Sequence, residues 1–167
     1  ESRDIPVLFY TYEVDDKIYE DDMGRDPAAL PRFYGFLKAG QLPQTSQINV
    51  ADYLDFFEEQ LQKGDLLHIA FTSGQSGSVH NAQAAGKLLQ EKYPHRKIVV
   101  IDSLCSSSGY GLLVDAAADL RDSGATLEET ARWVLENRNK VHHQFFSSNM
   151  TQFRRTGRVS GAAAMVA

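Results

Sequence analysis

Residues 72–78, with the sequence TSGQSGS, bring two glycines and four hydroxyl side chains into one short segment. Two kinds of chemistry would suit such a segment. The G-x-S-x arrangement around Ser76 is similar to the turn that presents a nucleophilic serine between a strand and a helix, although Ser78 stands where glycine is usual. The glycines, free backbone N–H groups and hydroxyls would equally suit an anionic group bound at the start of a helix.

Several enzymatic interpretations of this segment need partners elsewhere in the chain. A serine hydrolase centred on Ser76 would need a histidine, and the late candidates His142 and His143 fall in or just before a predicted strand. A dinucleotide site would use Asp102, but the turn lacks the G-x-G-x-x-G fingerprint. A phosphate-binding loop would need a lysine directly after the second glycine, and none is there. Anion binding and simple helix capping by the serines both stay open.

Three further groups of side chains have weaker patterns. Residues 45–47 (TSQ) and 156–158 (TGR) each suit an ordinary polar turn when they are taken alone. The five histidines show no spacing typical of a metal site, so no metal is predicted. Cys105 lies among serines, without a neighbour that would lower its pKa, so we expect a small packed side chain rather than a nucleophile.

Alternating strands and helices would have to bring these segments together. The apolar run at 66–71 predicts a strand buried on both faces, and apolar residues at helical spacing follow it. The other predicted strands are at 5–12 and 17–20, which are joined around Asp15 and Asp16, and at 97–101 and 143–146. Helices are predicted from 26–27 to Gly40, from the N-cap Asn49 to Gly64, and at about 106–122. Two more helices follow, one from the 126–129 capping box to about Asn139 and a short one capped by Ser147 and Ser148. This alternation predicts an α/β fold with a largely parallel sheet flanked by helices. Ligands of such sheets bind beyond the carboxyl ends of the strands.

Length and composition predict a single globular domain. The 167 residues are 43% hydrophobic and 23% charged, which is enough for one sizeable core. A net charge of -5 disfavours nucleic acid as a partner. One cysteine rules out an internal disulfide and suits the cytoplasm, and no apolar run is long enough to span a bilayer. The missing initiator methionine and the apolar run at 161–167 predict a fragment of a longer protein.

Four of these segments, taken together and in order, resemble the DegV family of bacterial fatty-acid-binding proteins. They are TSQ at 45–47, SGQSGS at 73–78, IDS at 101–103 and TGRVS at 156–160, where family members typically have TSQ, SS-x-SGT, DS and GGRIS. The opening VLFYTYEVDDKIYEDDM is also similar to the early strand pair of that family. The resemblance covers essentially the whole chain and rests on the combination of motifs.

The resemblance implies a carrier protein that buries a long-chain fatty acid between two domains and presents it to a fatty acid kinase, with no cofactor and no catalytic residues of its own. Position by position, Thr45 and Ser46 match the TSQ hydroxyls and Ser76 matches the serine of SGT. Arg158 matches the arginine of GRIS, and Gly77 would let the backbone approach the ligand closely. These five residues are the predicted carboxylate-binding site.

The chain departs from the family pattern in several places. Ser78 replaces a threonine and keeps a hydroxyl, whereas Thr156 replaces the first glycine of GGR and would alter the turn that aims Arg158. An earlier strand with its own Asp-Ser and the C-terminal domain of the family are absent from this chain. A truncated acyl tunnel would expose apolar surface and favour homo-oligomers or loss of ligand. A serine hydrolase centred on Ser76 is the alternative function.

Overall fold

The computed structural model describes residues 3–144, 146 and 151–159 and has a mixed α/β architecture. The strands are β1 (Thr11–Val14), β2 (Lys17–Glu20), β3 (Gln44–Thr45), β4 (Leu66–Ala70) and β5 (Ile98–Asp102). The helices are α1 (Ala29–Lys38), α2 (Val50–Leu61), α3 (Ser78–Lys92), α4 (Ser107–Asp122), α5 (Leu127–Asn137) and α6 (Thr151–Arg155), with a 3₁₀ turn at Arg138–Lys140. The predicted α/β fold is confirmed.

β1 is the central strand of a small antiparallel sheet in the order β2-β1-β3. Tyr12 on β1 is paired with Tyr19 on one side and with Thr45 on the other. The hairpin between β1 and β2 turns at Asp15 and Asp16, whose φ angles of 49° and 61° suit a two-residue type I′ turn. The predicted hairpin is therefore confirmed, and this sheet fixes the position of Thr45.

The strand predicted at 5–12 is wrong over most of its length, because β1 begins only at Thr11. Residues 5–10 join no strand ladder within the described part of the chain. Two of their apolar side chains, Leu8 and Tyr10, pack against the core cluster of α2 and α3 instead. An apolar run indicates burial, but a strand also needs a neighbouring backbone to pair with.

β4 and β5 form a parallel pair in which Leu66 is paired with Ile98 and Ala70 with Asp102. Helices α2 and α3 cover one face of this pair through Tyr53, Phe57, Leu61, Ala82, Ala85 and Leu89, which pack together with Ile48, just before α2, and with Leu66, Ile98 and Val100. Helices α4 and α5 cover the other face through Leu113, Ala117, Ala131 and Val134, which pack with Leu67, Ile69 and Val99. The predicted parallel sheet with flanking helices is confirmed, and the carboxyl ends of both strands emerge at the same edge.

Two helices begin with the predicted caps, and at the predicted N-cap Asn49 the structure adds a reciprocal bond from Asp52. The Asn49 side chain accepts the Asp52 N–H at 3.0 Å, and the Asp52 carboxylate accepts the Asn49 N–H at 3.4 Å at the start of α2. Thr126 and Glu129 make the equivalent pair at the start of α5. Such caps involve residues three positions apart, so the local sequence is sufficient to predict them.

α1 begins later than predicted, at Ala29 rather than at 26–27. The Asp26 carboxylate accepts the Ala28 N–H at 2.9 Å, which closes a separate turn ahead of the helix. α1 then packs on the small sheet, where the Phe33 ring meets the Tyr12 ring edge-on at 5.2 Å between centroids. Asp26 and Pro27, the residue types on which the predicted helix start depends, therefore belong to the turn before the helix.

The strand predicted at 143–146 is wrong for those of its residues that the structure describes. His143, Gln144 and Phe146 belong to no strand, and Phe146 is 95% exposed. The His143 ring accepts the Ser106 N–H at 3.2 Å, so this histidine supports the start of α4 instead.

Two other predictions, the helix cap at 147–148 and the structure of the apolar run at 161–167, lie outside the described residues. Of the helices in the described part of the chain, none has both the length and the apolar character that crossing a membrane requires.

Candidate functional site

The turn between β4 and α3 is held together by its own first residue. Thr72 is buried, and its carbonyl oxygen accepts the Gln75 and Ser76 N–H groups, each at 3.2 Å. Its hydroxyl accepts the Gly74 N–H at 3.2 Å. α3 then begins at Ser78. The turn therefore directs the positive end of the α3 dipole to the edge where β4 and β5 end.

Ser76 is partly buried at the centre of this turn, and its hydroxyl makes three hydrogen bonds. The oxygen accepts the Ser78 N–H at 3.2 Å and the Tyr10 hydroxyl at 3.4 Å. The proton is donated to the Ser78 hydroxyl oxygen at 2.9 Å. Gly77 is the N-cap residue of α3 and no side-chain cap bond is present, but Ser76 supports the start of the helix by accepting the Ser78 N–H, which is compatible with ligand binding.

Ser78 joins the turn to the segment that carries the TSQ motif. Its side chain is 1% exposed, and its hydroxyl oxygen accepts the Ile48 N–H at 3.1 Å. The Ile48 carbonyl in turn accepts the Asn81 side-chain amide at 2.8 Å. Both backbone polar groups of Ile48 are thus bonded to the first turn of α3, so residues 45–48 are held against the start of the helix.

Gly77 contributes to the site by having no side chain. A Cβ at this position would lie 2.8 Å from both Nε2 and Oε1 of Gln47, which is too close for non-bonded atoms. The φ angle of Gly77 is -75°, which suits any residue, so a side chain here would require only that the exposed end of the Gln47 side chain move. Gln47 was not among the predicted site residues, and its place within TSQ is its only signal in the sequence.

Arg158 meets the TSQ segment from the far end of the described chain. Its Nη2 donates to the Thr45 hydroxyl at 3.4 Å, and its Nη1 donates to the Thr156 carbonyl at 3.1 Å. Gly157 has a positive φ of 72°, whereas Thr156 does not have a positive φ. The threonine that stands in place of a family glycine is therefore accommodated without backbone strain.

The predicted site residues lie around the short segment 45–48. Thr45, Ser46 and Arg158 are exposed, whereas Ser76 and Gly77 are partly buried. Arg158 contacts Thr45, Gly77 lies under Gln47, and Ser76 is linked to Ile48 through Ser78. The Ser46 N–H donates to the Thr11 carbonyl at 3.3 Å, which holds the middle of the segment to β1. Hydroxyls, one guanidinium and a helix start are thus collected at one edge of the fold, as donors for an anion would be.

Ser46 also lines an open cleft of about 460 Å³ between the small sheet and α2. The residues that line this cleft include four apolar ones, Leu8, Phe9, Ile48 and Phe56. They also include four acidic ones, Glu20, Asp52, Asp55 and Glu59. Like charges repel, so an anionic head group is better accommodated at the start of α3 than in this cleft.

Asp102, at the end of β5, supports the turn from the neighbouring strand. Its Oδ1 accepts the Ser73 N–H at 3.2 Å and the Leu104 N–H at 3.0 Å. Burial opposes ionisation, but these hydrogen bonds and the nearby Arg138 guanidinium leave the pKa of the Asp102 carboxyl below its usual value. One ionised side chain therefore connects the loops that follow β4 and β5.

The serine hydrolase alternative gains no support from this geometry. Within the described residues, the Ser76 hydroxyl is bonded to Tyr10 and Ser78, and neither side chain is a general base near neutral pH. His143, one of the two candidate bases, is bonded to the Ser106 N–H instead.

The part of the chain that the structure describes contains neither a metal-binding cluster nor an accessible cysteine thiol. No group of three or more His, Cys, Asp or Glu side chains there could hold a metal ion. Cys105 is 1% exposed, and burial raises the pKa of its thiol. The expectation that Cys105 is a packed residue is confirmed.

Sequence comparison relates this chain to known proteins over its full length. A family model described as an uncharacterised protein of the DegV family matches residues 1–167. A DegV domain-containing protein of Clostridium perfringens is 35% identical over 165 residues, which make up 98% of this chain and 56% of the relative. A second, from Lactococcus lactis, is 32% identical over 163 residues, which make up 97% of this chain and 56% of the relative. The chain therefore spans about half the length of the curated relatives it matches.

Solved structures share the fold. A DegV family protein from Thermus thermophilus, described as fatty-acid-binding, aligns with a TM-score of 0.79 at 23% identity over 99% of this chain and 57% of its own. The fatty acid kinase B3 protein of Streptococcus pneumoniae, solved with linoleic acid, aligns with a TM-score of 0.69 at 26% identity over 82% of this chain and 50% of its own. The family match over the whole chain, together with these relatives, shows that this chain belongs to the DegV family.

Proposed function

We propose that this chain binds a long-chain fatty acid and is the part of the protein that holds the acid's carboxylate. The protein groups proposed to bind the carboxylate are the hydroxyls of Thr45, Ser46 and Ser76, the guanidinium of Arg158, and the backbone at Gly77. The complete protein then presents the bound acid to a fatty acid kinase. In this proposal it is a carrier rather than an enzyme.

The observation that carries the proposal is the position of the TSQ segment against the start of α3. Ile48 is bonded to the first turn of the helix, the Gln47 amide lies over Gly77, and Arg158 donates to Thr45. A carboxylate at a helix N-terminus gains from the dipole and from charge-assisted hydrogen bonds. The linoleic acid in the Streptococcus pneumoniae structure and a stearic acid-binding protein from Eubacterium ventriosum, each at 26% identity, support the same ligand class here.

Burial of the acyl tail would supply most of the affinity. Each buried methylene contributes about 0.8 kcal/mol, so a long chain outweighs the head-group contacts, which would mainly fix its orientation. The relatives are almost twice as long as this chain, so we expect the remainder of the protein to enclose much of the tail.

The proposed partner and location follow from the same comparison. The Streptococcus pneumoniae neighbour is described as a fatty acid kinase protein, which supports a kinase as the protein partner. The net charge of -5 is consistent with the expectation that nucleic acid is not a partner. Cytoplasmic location and self-association remain predictions from the sequence.

Native mass spectrometry of protein purified from bacteria would test the proposal directly. We expect a co-purified mass that matches a long-chain fatty acid, and titration after delipidation should show tighter binding of the acid than of its methyl ester. Equal affinity for acid and ester would contradict the proposed carboxylate site. Hydrolysis of a short acyl ester that disappears in Ser76→Ala would instead establish the hydrolase alternative.

Ser76→Ala tests the head-group contact itself. We expect affinity for the acid to fall about threefold to tenfold, the range expected for one hydrogen bond, while affinity for the methyl ester stays unchanged. Ser123→Ala is the matched control, because the Ser123 hydroxyl donates to the Leu120 carbonyl at the far end of α4. A lower melting temperature with unchanged affinity would show that Ser76 only supports the helix start.

A further inference from the structure

The Ser76 hydroxyl has a second supporting residue that comes from outside the motif. Tyr10 precedes β1, and its hydroxyl donates to the Ser76 oxygen at 3.4 Å across 66 positions of sequence. The same oxygen accepts the Ser78 N–H at 3.2 Å. A hydroxyl oxygen has two lone pairs, so these two donors occupy both of them and leave the Ser76 proton as the only group it can offer.

Tyr10 is held in place independently of Ser76. Its carbonyl oxygen accepts the Asp21 N–H at 2.8 Å, which ties its backbone to the end of β2. Its ring meets the Phe71 ring edge-on at 6.0 Å between centroids, and Phe71 immediately follows β4. Tyr10 also lies close to Tyr110: burial is the main cause that raises the pKa of the Tyr110 hydroxyl to about 12, and the proximity of Tyr10 is the second. The contacts of the Tyr10 backbone and of the Tyr10 ring therefore fix the direction of the Tyr10 phenol.

The direction of the Ser76 proton is what must change when a ligand binds. In the structure the proton is directed inward, to the Ser78 hydroxyl oxygen at 2.9 Å. That oxygen also accepts the Ile48 N–H, so it keeps a donor when Ser76 turns away. Rotation about the Cβ–Oγ bond turns the Ser76 proton and both lone pairs together, so the outward turn keeps one of the two donors, and in the proposed role this donor is the Tyr10 hydroxyl. The rotation costs up to two neutral hydrogen bonds and leaves each of these oxygens with a donor.

We propose that Tyr10 is a positioning residue for the head-group site, a role that rests on the proposed fatty-acid function. Its hydroxyl donates to Ser76, and Ser76 donates to the carboxylate, so the two hydroxyls form a chain that ends on the negative charge. Hydrogen bonds in such a chain polarise one another, which strengthens donation by Ser76. Tyr10 acts through Ser76 and needs no contact with the ligand.

A double-mutant cycle on delipidated protein tests this role, with oleic acid and methyl oleate as probes. Tyr10→Phe keeps the ring against Phe71 and removes only the hydroxyl. We expect it to weaken oleate binding about threefold to tenfold in the parent protein and to leave methyl oleate binding unchanged. In the Ser76→Ala background the same change should have no further effect, because the residue through which Tyr10 acts is gone. Tyr34→Phe on α1 is the matched control, since Tyr34 is 56% exposed.

The cycle distinguishes a positioning role for Tyr10 from a packing role and from no role at all. Equal oleate affinity of Tyr10→Phe and the parent protein would overturn the positioning role, and so would additive effects of the two substitutions. A loss of oleate and methyl oleate binding in equal measure would show that Tyr10 has only a packing role, which also overturns it. Absence of oleate binding by the parent protein would refute the proposed function itself, and that outcome is read from the parent alone.

Discussion

The Arg158 guanidinium donates to the Thr45 hydroxyl at 3.4 Å, although 113 positions separate the two residues. Both side chains are exposed, so the contact is not a product of core packing. Thr45 is fixed by its pairing with Tyr12 in the small sheet, and Arg158 follows the left-handed Gly157. The contact therefore brings the guanidinium of the proposed site to the hydroxyls of the TSQ segment.

Arg158→Ala should weaken fatty-acid binding about threefold to tenfold, because an exposed charge-assisted hydrogen bond contributes modestly in water. The loss should appear for the acid and not for its methyl ester, and added salt should reduce the difference between the parent protein and the variant. Titration of both ligands at two salt concentrations is the measurement. Arg155→Ala, a nearby exposed arginine at the end of α6, is the control and should bind like the parent protein.

Gly77→Ala should weaken fatty-acid binding with little change in stability. The added Cβ would lie 2.8 Å from the Gln47 amide, so we expect this exposed side chain to move away from the helix start. The φ of Gly77 suits alanine, so we expect the free energy of unfolding to fall by no more than about 1 kcal/mol. Isothermal titration and urea denaturation would measure the two effects.

Two variants test the cause of this effect. Gly111→Ala in α4 is the control, because nothing lies within 4 Å of the added Cβ there, and it should raise stability by up to about 1 kcal/mol. If displacement of Gln47 causes the loss of affinity, Gln47→Ala combined with Gly77→Ala should bind better than Gly77→Ala alone. Affinity that does not recover in the double variant would assign the effect to the Gly77 backbone.

The site residues that could be predicted from the sequence are those that belong to a local motif and have a side chain suited to anion binding. Hydroxyls, a glycine and an arginine at 45–46, 76–77 and 158 stand out by type and spacing. Tyr10 and Gln47 do not, because the proposed role of Tyr10 depends on a contact with Ser76 across 66 positions, and that of Gln47 on a close approach to Gly77. Tertiary contacts of this kind leave no periodic or compositional signal.

The secondary-structure elements also divide into those that depend on local sequence and those that depend on tertiary contacts. The N-cap at Asn49, the capping box at Thr126 and the hairpin at Asp15 were predictable, because each depends on residues within a few positions of one another. The strands predicted at 5–12 and 143–146 were not, since strand formation needs a partner that an apolar run cannot specify. Tyr10, in the first of these segments, is partly buried against the core, whereas Phe146, in a segment predicted to be a core strand, is exposed.

Asp102→Ala should destabilise the protein by about 1 to 2 kcal/mol, because the Ser73 and Leu104 N–H groups each lose an acceptor. Asp102→Asn keeps a side-chain oxygen in place and should cost less. Urea denaturation of both variants is the measurement. Asp65→Ala is the control, because Asp65 accepts the Lys97 N–H at the other end of the sheet. Fatty-acid binding by the Asp65→Ala variant should be unaffected. A larger cost for Asp102→Asn than for Asp102→Ala would contradict the hydrogen-bond role.

His68 should make the stability of the fold depend on pH in a defined window. Its imidazole lies 5.0 Å from the Phe57 ring and 5.5 Å from the Tyr53 ring, and its Nε2 is buried without a hydrogen-bond partner in the described residues. Burial lowers the pKa of His68 to about 4, against about 6.5 in an unfolded chain. Between these values the unfolded state binds a proton that the folded state does not.

The free energy of unfolding should therefore fall as the pH drops below about 6.5, and His68 alone should account for about 2 kcal/mol between about pH 7 and pH 5. Below about pH 4 the folded state takes up the proton too, and this contribution stops growing. Urea denaturation at both pH values measures the effect. His68→Phe keeps an aromatic ring between Tyr53 and Phe57 and should remove that part of the pH dependence, whereas His95→Gln at an exposed position should retain it. Equal pH dependence in the parent protein and His68→Phe would show that His68 titrates in the fold as it does in the unfolded chain.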